Sequence, residues 1–291
     1  MKFIKHFFSK GSKSAGKVTH AIYIILRIIV VVMLVDQLID RNMGNIMLLL
    51  LTLLLFEIPY LLEKLLKIQI PNTLEIIILS FIFSATVLGE LSDFYGYFSL
   101  WDTALHALSG FLAGGVGFSL VYLLNKNTKT MNLTPLLVAL VSFCFSMTVG
   151  VFWEFIEFSA DQVLQMDMQK DNYVDQINSV KLSEDGNTVY KIKDIQQTTV
   201  TYKDEHGKTK EYVMADGYLD IGILDTMKDL FVNFIGALVF SVFGYLYTRN
   251  DYRKFTFIRN FIPRKKGVTT RMDTAGNKKS IWRKSKIDFC F

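Results

Sequence analysis

Blocks of apolar residues alternate with short polar stretches along the chain. Six blocks of roughly 20 residues stand out, at about residues 18–38, 46–66, 74–88, 101–124, 135–164 and 224–247. A helix of about 20 residues crosses the roughly 30 Å apolar core of a bilayer. The pattern therefore predicts an all-α integral membrane protein with about six transmembrane helices, five within residues 18–165 and the sixth within residues 222–248.

The segment between the fifth and sixth blocks, residues 166–221, has a different pattern. It is polar, with seven lysines and eleven acidic residues, and it contains alternating runs such as TVYKIK and TTVTYK. The turn-like sequences EDGN (184–187) and DEHG (204–207) punctuate the segment. We expect a β-rich insert of one or two hairpins, with about three or four strands, that forms a small cap or lid. A plain solvated loop is the alternative.

Lysine and arginine concentrate at alternate ends of the blocks. The N-tail (residues 1–17) has five lysines and no acid, and the chain after Tyr247 has thirteen Lys or Arg residues against three Asp. The connections after the second and fourth blocks are also basic, whereas residues 89–100 carry only acids. Because basic loops stay in the cytoplasm, both termini (1–17 and 249–291) are predicted to be cytoplasmic and the insert extracytoplasmic, in a bacterial inner membrane.

Cysteine usage and charge restrict the class of protein further. The two cysteines, Cys144 in an apolar block and Cys290 near the C-terminus, give neither a disulfide framework nor metal-ligand spacing. The basic C-tail can bind anionic membrane lipid, at about 1 kcal/mol per basic residue near the surface. The simpler alternative is that its charge only reports the orientation of the chain in the membrane. Nothing in the sequence adds support for nucleic-acid binding.

An acid and a histidine lie at the start of the fourth block, in WDTALHALSG (residues 101–110). Asp102 and His106 are four residues apart, which puts them on one face of a helix about a turn apart. Ionisable side chains are costly to bury in a membrane, so they usually have a partner or a function. His106 by itself is more typical of a packing histidine, but together with Asp102 it indicates a functional site.

Two other blocks carry polar residues at matching ends. Within each block these residues are spaced three or four apart, which places them on one helix face. In the topology above, all three ends lie at the outer level of the membrane, beside the acidic loop that precedes the fourth block. We therefore expect these residues to converge: Asp102, His106, Glu154, Glu157, Asp161, Asp225, Asp229 and Asn233, with Glu90 and Asp93 nearby.

Several carboxylates in one buried place need either protons or a cation, because like charges repel strongly where the dielectric is low. Lys228 is expected on another face of its helix, so it would not neutralise them. Carboxylates with one imidazole suit a divalent ion such as Mg²⁺, Mn²⁺, Ca²⁺ or Zn²⁺. The alternative is that the acids are only solvated neighbours of the lipid headgroups. The expected metal ligands are Asp102, His106, Glu154, Asp161, Asp225 and Asp229.

The same cluster supplies the expected functional residues. The expected catalytic residues are His106, Asp102 and Glu154, and the expected substrate contacts are Glu157, Asn233, Glu90 and Asp93.

Small residues repeat at every fourth position in the fourth and fifth blocks. Gly110 and Gly114 form a GxxxG motif, and Ser142, Ser146 and Gly150 follow the same spacing. Small side chains let membrane helices approach closely. The pattern predicts that these two helices pack together beneath the acids.

The chain contains, in order, the motifs GELSDFYGYF, WDTALHALSG, WEFIEFSADQ and DTMKDLFVNFIGAL. In this combination it resembles an uncharacterised bacterial family of inner-membrane proteins typified by YjdF. That family is similar to the VanZ-like membrane proteins, some of which are linked to teicoplanin resistance. The resemblance covers about residues 70–165 and 222–248. It implies a membrane protein in which the acids and the histidine of these motifs matter, and it implies no reaction.

Three functions compete. The first is a membrane-embedded enzyme, with or without a metal ion, that acts on a lipid-linked or cell-envelope substrate, with His106 as general acid or base. The second is a protein that binds or confers resistance to an envelope ligand without chemistry. The third is a cation- or proton-coupled transporter, which is disfavoured because the sequence shows no internal repeat or broken pair of helices. A purely structural scaffold remains as the alternative to all three.

Overall fold

The computed structural model describes residues 16–66, 68–127, 133–249 and 256–265. Within them, six helical spans are long and apolar enough to cross a membrane: Lys17–Ile39, Met43–Leu65, Asn72–Leu91, Trp101–Val121, Pro135–Leu164 and Ile223–Arg249. A helix satisfies its backbone hydrogen bonds internally, which is what a lipid environment requires. The prediction of an all-α membrane protein with about six spans is confirmed.

The elements are numbered here in chain order. The helices are α1 (Lys17–Ile39), α2 (Met43–Leu55), α3 (Ile58–Leu66), α4 (Asn72–Phe83), α5 (Phe94–Tyr97), α6 (Trp101–Asn127), α7 (Pro135–Leu164) and α8 (Ile223–Arg249). Wider π-helical turns (Ser84–Leu91) extend α4, and short 3₁₀ turns cover Val180–Leu182 and Thr256–Phe261.

The second span is interrupted, which the sequence analysis did not foresee. Phe56 and Glu57 form a turn between α2 and α3. Pro59 lacks an amide hydrogen, so it cannot bond to the carbonyl of Leu55, where α2 ends. The turn packs against α1. Its Glu57 carboxylate forms an ion pair with the buried Arg27 and accepts a hydrogen bond from the Tyr23 hydroxyl.

Large apolar side chains cover the outer surface of the spans. Exposed examples from four of them are Ile25, Val32, Leu50, Phe152 and Phe231. Such a continuous apolar surface would be unfavourable in water, whereas it matches lipid tails. The buried apolar residues form separate clusters, one among the first three spans around Leu49 and Leu79 and one between α6 and α8 around Phe118 and Phe240.

Helices α6, α7 and α8 form the most closely packed group. The Ser142 and Ser146 hydroxyls of α7 donate hydrogen bonds to the carbonyls of Gly114 and Gly110 in α6, at 2.6 and 2.7 Å. The predicted packing of the fourth and fifth spans through small residues is therefore confirmed. On α8, the backbone at Gly236 lies directly against α6. A Cβ at this position would lie only 2.1 Å from the carbonyl oxygen of Ala107.

The insert contains three separate two-stranded antiparallel ladders. The predicted TTVTYK strand is β5 (Thr198–Lys203), and the DEHG sequence forms the turn to β6 (Thr209–Met214). EDGN lies between β3 (Ile177–Ser179) and β4 (Tyr190–Ile192). The hairpins are confirmed, and the plain-loop alternative is wrong. The insert has six strands rather than three or four: β2 (Tyr173–Val174) with β7 (Tyr218–Leu219), β3 (Ile177–Ser179) with β4 (Tyr190–Ile192), and β5 (Thr198–Lys203) with β6 (Thr209–Met214). A further short pair elsewhere joins β1 (Ile68–Gln69) and β8 (Arg264–Lys265).

The predicted basic tails fall almost entirely outside the described residues, which begin at residue 16 and end at residue 265. Cys290 also lies outside them, while Cys144 is an exposed free thiol. The sidedness of the membrane insertion, with both termini cytoplasmic, therefore stays a prediction.

Candidate functional site

The helix directions bring the predicted site together. Helices α6 and α8 begin at Trp101 and Ile223, close to where α7 ends at Leu164. The first turns of α6 and α8 therefore lie beside the last three turns of α7. Residues far apart in sequence come into contact there, including Asp102 and Lys228, which are 126 positions apart.

The His106 ring lies at the centre of this meeting point. Its Nε2 atom is 3.4 Å from Asp102 Oδ1 and 3.6 Å from Asp229 Oδ2, and its Nδ1 atom is 3.9 Å from Glu154 Oε1. The imidazole thus faces carboxylates from α6, α8 and α7. We call these four residues the acid–histidine cluster.

Three members of the cluster lie close enough together that they could hold a metal ion. One donor atom from each of Asp102, His106 and Asp229 lies within 4.8 Å of the others. Ligands that bind one ion at about 2.1 Å lie roughly 3 Å or a little more apart. The 3.4 and 3.6 Å separations around His106 Nε2 are close to this value, so the three residues fit a divalent ion.

Two buried oxygens in the cluster have no hydrogen-bond partner among the described residues: Glu154 Oε2 and Asp229 Oδ1. Glu154 is 5% exposed and Asp229 is 1% exposed. Burial of a carboxylate oxygen without a hydrogen bond is unfavourable. An added cation or proton would compensate these two oxygens.

Lys228 lies in the cluster, contrary to the prediction that it points to another face of α8. Its ammonium is 3.2 Å from Asp102 Oδ2, 3.3 Å from Asp225 Oδ1 and 3.8 Å from Asp229 Oδ1. The prediction failed because it considered only the direction of the Cα–Cβ bond, whereas a four-carbon side chain reaches around the helix. One ammonium nevertheless meets three carboxylates.

Asp161 was predicted to be a metal ligand, but the structure gives it a different set of partners. Its two oxygens accept hydrogen bonds from the backbone amides of Met168 and Gln169, at 2.6 and 2.8 Å. Both oxygens are therefore turned towards the start of the insert, away from His106. We call this start, residues 167–172, the strap.

Asp225 in the first turn of α8 and Asp220 just before the helix hold the rest of the strap. Asp225 Oδ2 accepts a hydrogen bond from the amide of Lys170 at 2.9 Å, while its other oxygen faces Lys228. Asp225 therefore joins the strap to the cluster instead of facing His106. Asp220, which the sequence analysis did not select, accepts from the amides of Asn172 and Leu224, both at 2.8 Å, and so caps the start of α8.

The expected substrate contacts occupy different positions. Glu157 is buried and accepts a hydrogen bond from Trp153 Nε1 at 2.7 Å. Asn233 is 2% exposed and fills the space opposite Gly150, where a Cβ would lie 2.4 Å from its amide nitrogen. It is thus a packing residue one turn below Asp229.

Glu90 in the π-helical end of the third span and Asp93 in the turn after it also differ from each other. Glu90 is exposed and within electrostatic range of Asp102 and Lys170, so it borders the cluster. Asp93 is exposed and begins α5, where its carbonyl accepts hydrogen bonds from the amides of Gly96 and Tyr97. It has a left-handed backbone with φ of 54°.

Tyr95 is a residue that sequence reasoning missed. Its ring packs against Gly89, where a Cβ would lie 2.4 Å away. Burial raises the pKa of the Tyr95 hydroxyl, and the nearby carboxylates of Glu90, Asp102 and Glu157 raise this pKa further. The hydroxyl is therefore a hydrogen-bond donor at neutral pH. The only sequence feature that pointed to Tyr95 as a site residue was its position in GELSDFYGYF, beside a glycine-containing turn.

Comparison with known proteins identifies the family. The profile of a family described as "Predicted membrane protein (DUF2238)" matches residues 20–182, which is more than half of the chain. An uncharacterised protein of Thermotoga maritima is 29% identical over 106 residues, which cover 36% of this chain and 53% of that protein. The chain thus spans about half the length of that relative. No solved structure matches the chain. The matched residues include Asp102, His106 and Glu154, and the chain belongs to the DUF2238 family of membrane proteins.

Proposed function

We propose that this multi-pass membrane protein binds a divalent cation in the acid–histidine cluster and uses it on a lipid-linked or cell-envelope substrate. The observation that carries the proposal is the convergence of donor atoms from Asp102, His106 and Asp229 within 4.8 Å. The unpartnered buried oxygen of Glu154 supports it, because a cation would compensate a carboxylate that is otherwise unfavourable there.

The two sides of the His106 ring suggest separate roles for its neighbours. Nε2 faces Asp102 and Asp229, so this nitrogen is the candidate ligand. Nδ1 faces Glu154. The Glu154 carboxylate can accept a hydrogen bond from Nδ1–H and thereby fix the tautomer and orientation of the ring. Metal-bound histidines commonly use such a carboxylate. Glu154 is accordingly proposed as a positioning residue as well as a proton acceptor near the reaction.

A bound divalent ion would polarise a phosphoryl or acyl oxygen or activate a water molecule. Among the residues that border the cluster, Tyr95 offers a hydroxyl donor and Glu90 a carboxylate. Lysine and arginine concentrate at alternate ends of the spans. This distribution supports an extracytoplasmic site in a bacterial inner membrane, with both termini cytoplasmic. The resemblance to YjdF and to VanZ-like proteins supports a role in the cell envelope.

A second candidate is a binding or proton-coupled site without chemistry, in which protons neutralise the cluster. It is favoured by the carboxyl groups of Asp102 and Asp229, which each have an oxygen within 4.8 Å of the other and of a His106 nitrogen. Two carboxyl groups in such contact can hold one proton between them. A resistance protein that binds an envelope ligand and a proton-coupled transporter are both compatible with this arrangement.

Binding of Mn²⁺ to the detergent-purified protein, followed by electron paramagnetic resonance, tests the cation site. The wild type should bind about one ion per chain, and Asp229→Asn should lose this binding. Asp93→Asn is the matched control, because Asp93 is an exposed acid of the α5 turn. Absence of saturable binding to the wild type would overturn the cation site and favour the proton-bound alternative.

Phosphate release from a lipid-linked pyrophosphate separates the enzyme from the binder. The assay is run with and without added Mn²⁺ on the same preparations. Turnover that needs Mn²⁺ and disappears in Asp229→Asn supports the enzyme. Saturable Mn²⁺ binding without turnover of phosphoryl or acyl substrates would favour a binding protein.

A further inference from the structure

Asp102 and Asp229 each face two different side chains, the His106 ring and the Lys228 ammonium. Asp102 presents Oδ1 to His106 Nε2 and Oδ2 to the Lys228 ammonium. Asp229 presents Oδ2 to His106 Nε2 and Oδ1 to the same ammonium. The candidate ion position beside His106 and the ammonium of Lys228 therefore lie on opposite edges of the same two carboxylates.

The ammonium reaches the cluster from its open side. The Lys228 side chain is 44% exposed, whereas the side chain of Asp229 is 2% exposed. A lysine has a flexible stem and a compact charged end, so it can approach or leave carboxylates without movement of its helix. Asp225 holds the ammonium from the other side at 3.3 Å. Lys228 thus borders the cluster on its exposed side.

One ammonium does not complete the neutralisation of the cluster. Glu154 Oε2, in a residue that is 5% exposed, makes no hydrogen bond with any described residue. Glu154 lies on the His106 side, 3.9 Å from Nδ1, and not on the Lys228 side. This oxygen without a hydrogen bond is compatible with a second positive charge beside His106 while Lys228 remains in place, which is the arrangement that the proposed cation site requires.

We infer that Lys228 is a built-in counter-ion that determines which cations the acid–histidine cluster accepts. The inference rests on the proposed cation site and adds the residue that sets its charge selectivity. An ion bound beside His106 is repelled by the ammonium across Asp102 and Asp229. Coulomb energy is proportional to the charge of the ion, so Lys228 disfavours a trivalent ion more than a divalent one.

The test compares the affinities for Mn²⁺ and Tb³⁺ in wild type and Lys228→Met. The neutral variant should bind Mn²⁺ at least tenfold more tightly. Coulomb's law gives a gain of about that size in water for one charge removed ~6 Å from a divalent ion, and the buried carboxylates are screened less than that. The logarithm of the gain for Tb³⁺ should be about 1.5 times that for Mn²⁺, in proportion to the ion charges. A general change of structure would not produce this ratio.

Two further variants act as controls. Lys228→Arg keeps the positive charge and should leave the ratio of the two affinities close to the wild-type ratio. Lys170→Met removes a similarly exposed lysine, which contacts Asp167 instead of the cluster, and should change neither affinity by more than about twofold. Helical content measured by circular dichroism shows that each variant is folded.

The outcomes separate this inference from the cation site itself. Saturable Mn²⁺ binding in the wild type with equal or weaker binding in Lys228→Met would overturn the role of Lys228 and leave the cation site intact. A gain of equal size for Mn²⁺ and Tb³⁺ would also overturn it, because it would show a structural effect. Absence of binding in both proteins would overturn the cation site and, with it, the inference.

Discussion

At the scale of single residues, the buried carboxylates of the acid–histidine cluster are unfavourable for stability, so a function is the better explanation of their presence. Glu154 and Asp229 are almost completely buried, yet each has an oxygen without a hydrogen bond among the described residues. In a protein selected for stability alone, such groups would be replaced by neutral side chains. Their presence is explained if a cation or a proton completes the site.

Replacement of Glu154 by Gln should therefore stabilise the cation-free protein, by about 1 kcal/mol or more, because the variant removes a buried charge with an unpartnered oxygen. The measurement is thermal unfolding in detergent with a chelator present. Glu211→Gln, in the exposed β6 strand, is the control and should have little effect. A destabilised Glu154→Gln protein would show that the carboxylate already has a favourable partner.

The same variant should bind Mn²⁺ about tenfold more weakly, because an amide orients the His106 ring less effectively than a carboxylate does. Titration followed by electron paramagnetic resonance measures the change. Unchanged affinity would contradict the role of Glu154 as the partner of Nδ1. The opposite signs for stability and binding distinguish a functional carboxylate from a packing residue.

At the scale of the elements, two features position the cluster: the close packing of α6 and α8, and the strap. Gly236 permits the contact with Ala107 that sets the relative depth of the two helices. The strap is held by carboxylates of α7 and α8 and by Asp220, with Asp225 shared between the strap and Lys228. The start of the insert is therefore connected directly to the cluster.

Gly236→Val should destabilise the protein by about 2 kcal/mol or more, since the new side chain would force α8 away from the Ala107 carbonyl. The midpoint of thermal unfolding reports the change. Gly44→Ala is the control, because a Cβ there meets only the Asn42 side chain at an ordinary 3.6 Å. Equal stability of the two variants would contradict the close approach of α6 and α8.

Asp161→Asn should leave Mn²⁺ binding within about twofold of wild type but increase amide hydrogen exchange in the strap, since its carboxylate holds the amides of Met168 and Gln169. Mass spectrometry of exchanged peptides measures the effect. Asp216→Asn, in the turn between β6 and β7, is the control. Loss of ion binding in Asp161→Asn would show instead that Asp161 is an ion ligand, as the sequence predicted.

At the scale of the whole molecule, apolar block length was enough to predict the spans, because a bilayer imposes one length on every crossing helix. The insert hairpins followed from the alternation in TTVTYK and the turn DEHG. The helix break at Phe56 was not predicted because the apolar pattern continues across it. Pro59 was its only mark in the sequence.

The site was predictable in position but not in detail. Helix spacing brought Asp102, His106 and Asp229 together correctly, since residues three or four apart share a face. Spacing could not show that Asp161 turns towards the strap or that Lys228 reaches around α8. Both depend on side-chain reach and on the path of the insert, which periodicity does not encode.

The orientation in the membrane is tested by labelling in whole cells. In a background of Cys144→Ser and Cys290→Ser, a membrane-impermeant maleimide should label Thr201→Cys in the exposed β5 strand but not Ser14→Cys in the N-tail. This result follows from the distribution of lysine and arginine. The reverse pattern would move the cluster to the cytoplasmic side and remove the envelope substrate from the proposal.

The central claim is that the acid–histidine cluster holds a divalent cation. Elemental mass spectrometry of the protein purified without chelators, in wild type and His106→Ala, tests it most directly. We predict about one divalent ion per chain in the wild type and a loss of that ion in the variant, whose missing ring leaves Asp102 and Asp229 without their third donor. A wild type without any ion, even after incubation with Mn²⁺ and Zn²⁺, would contradict the account.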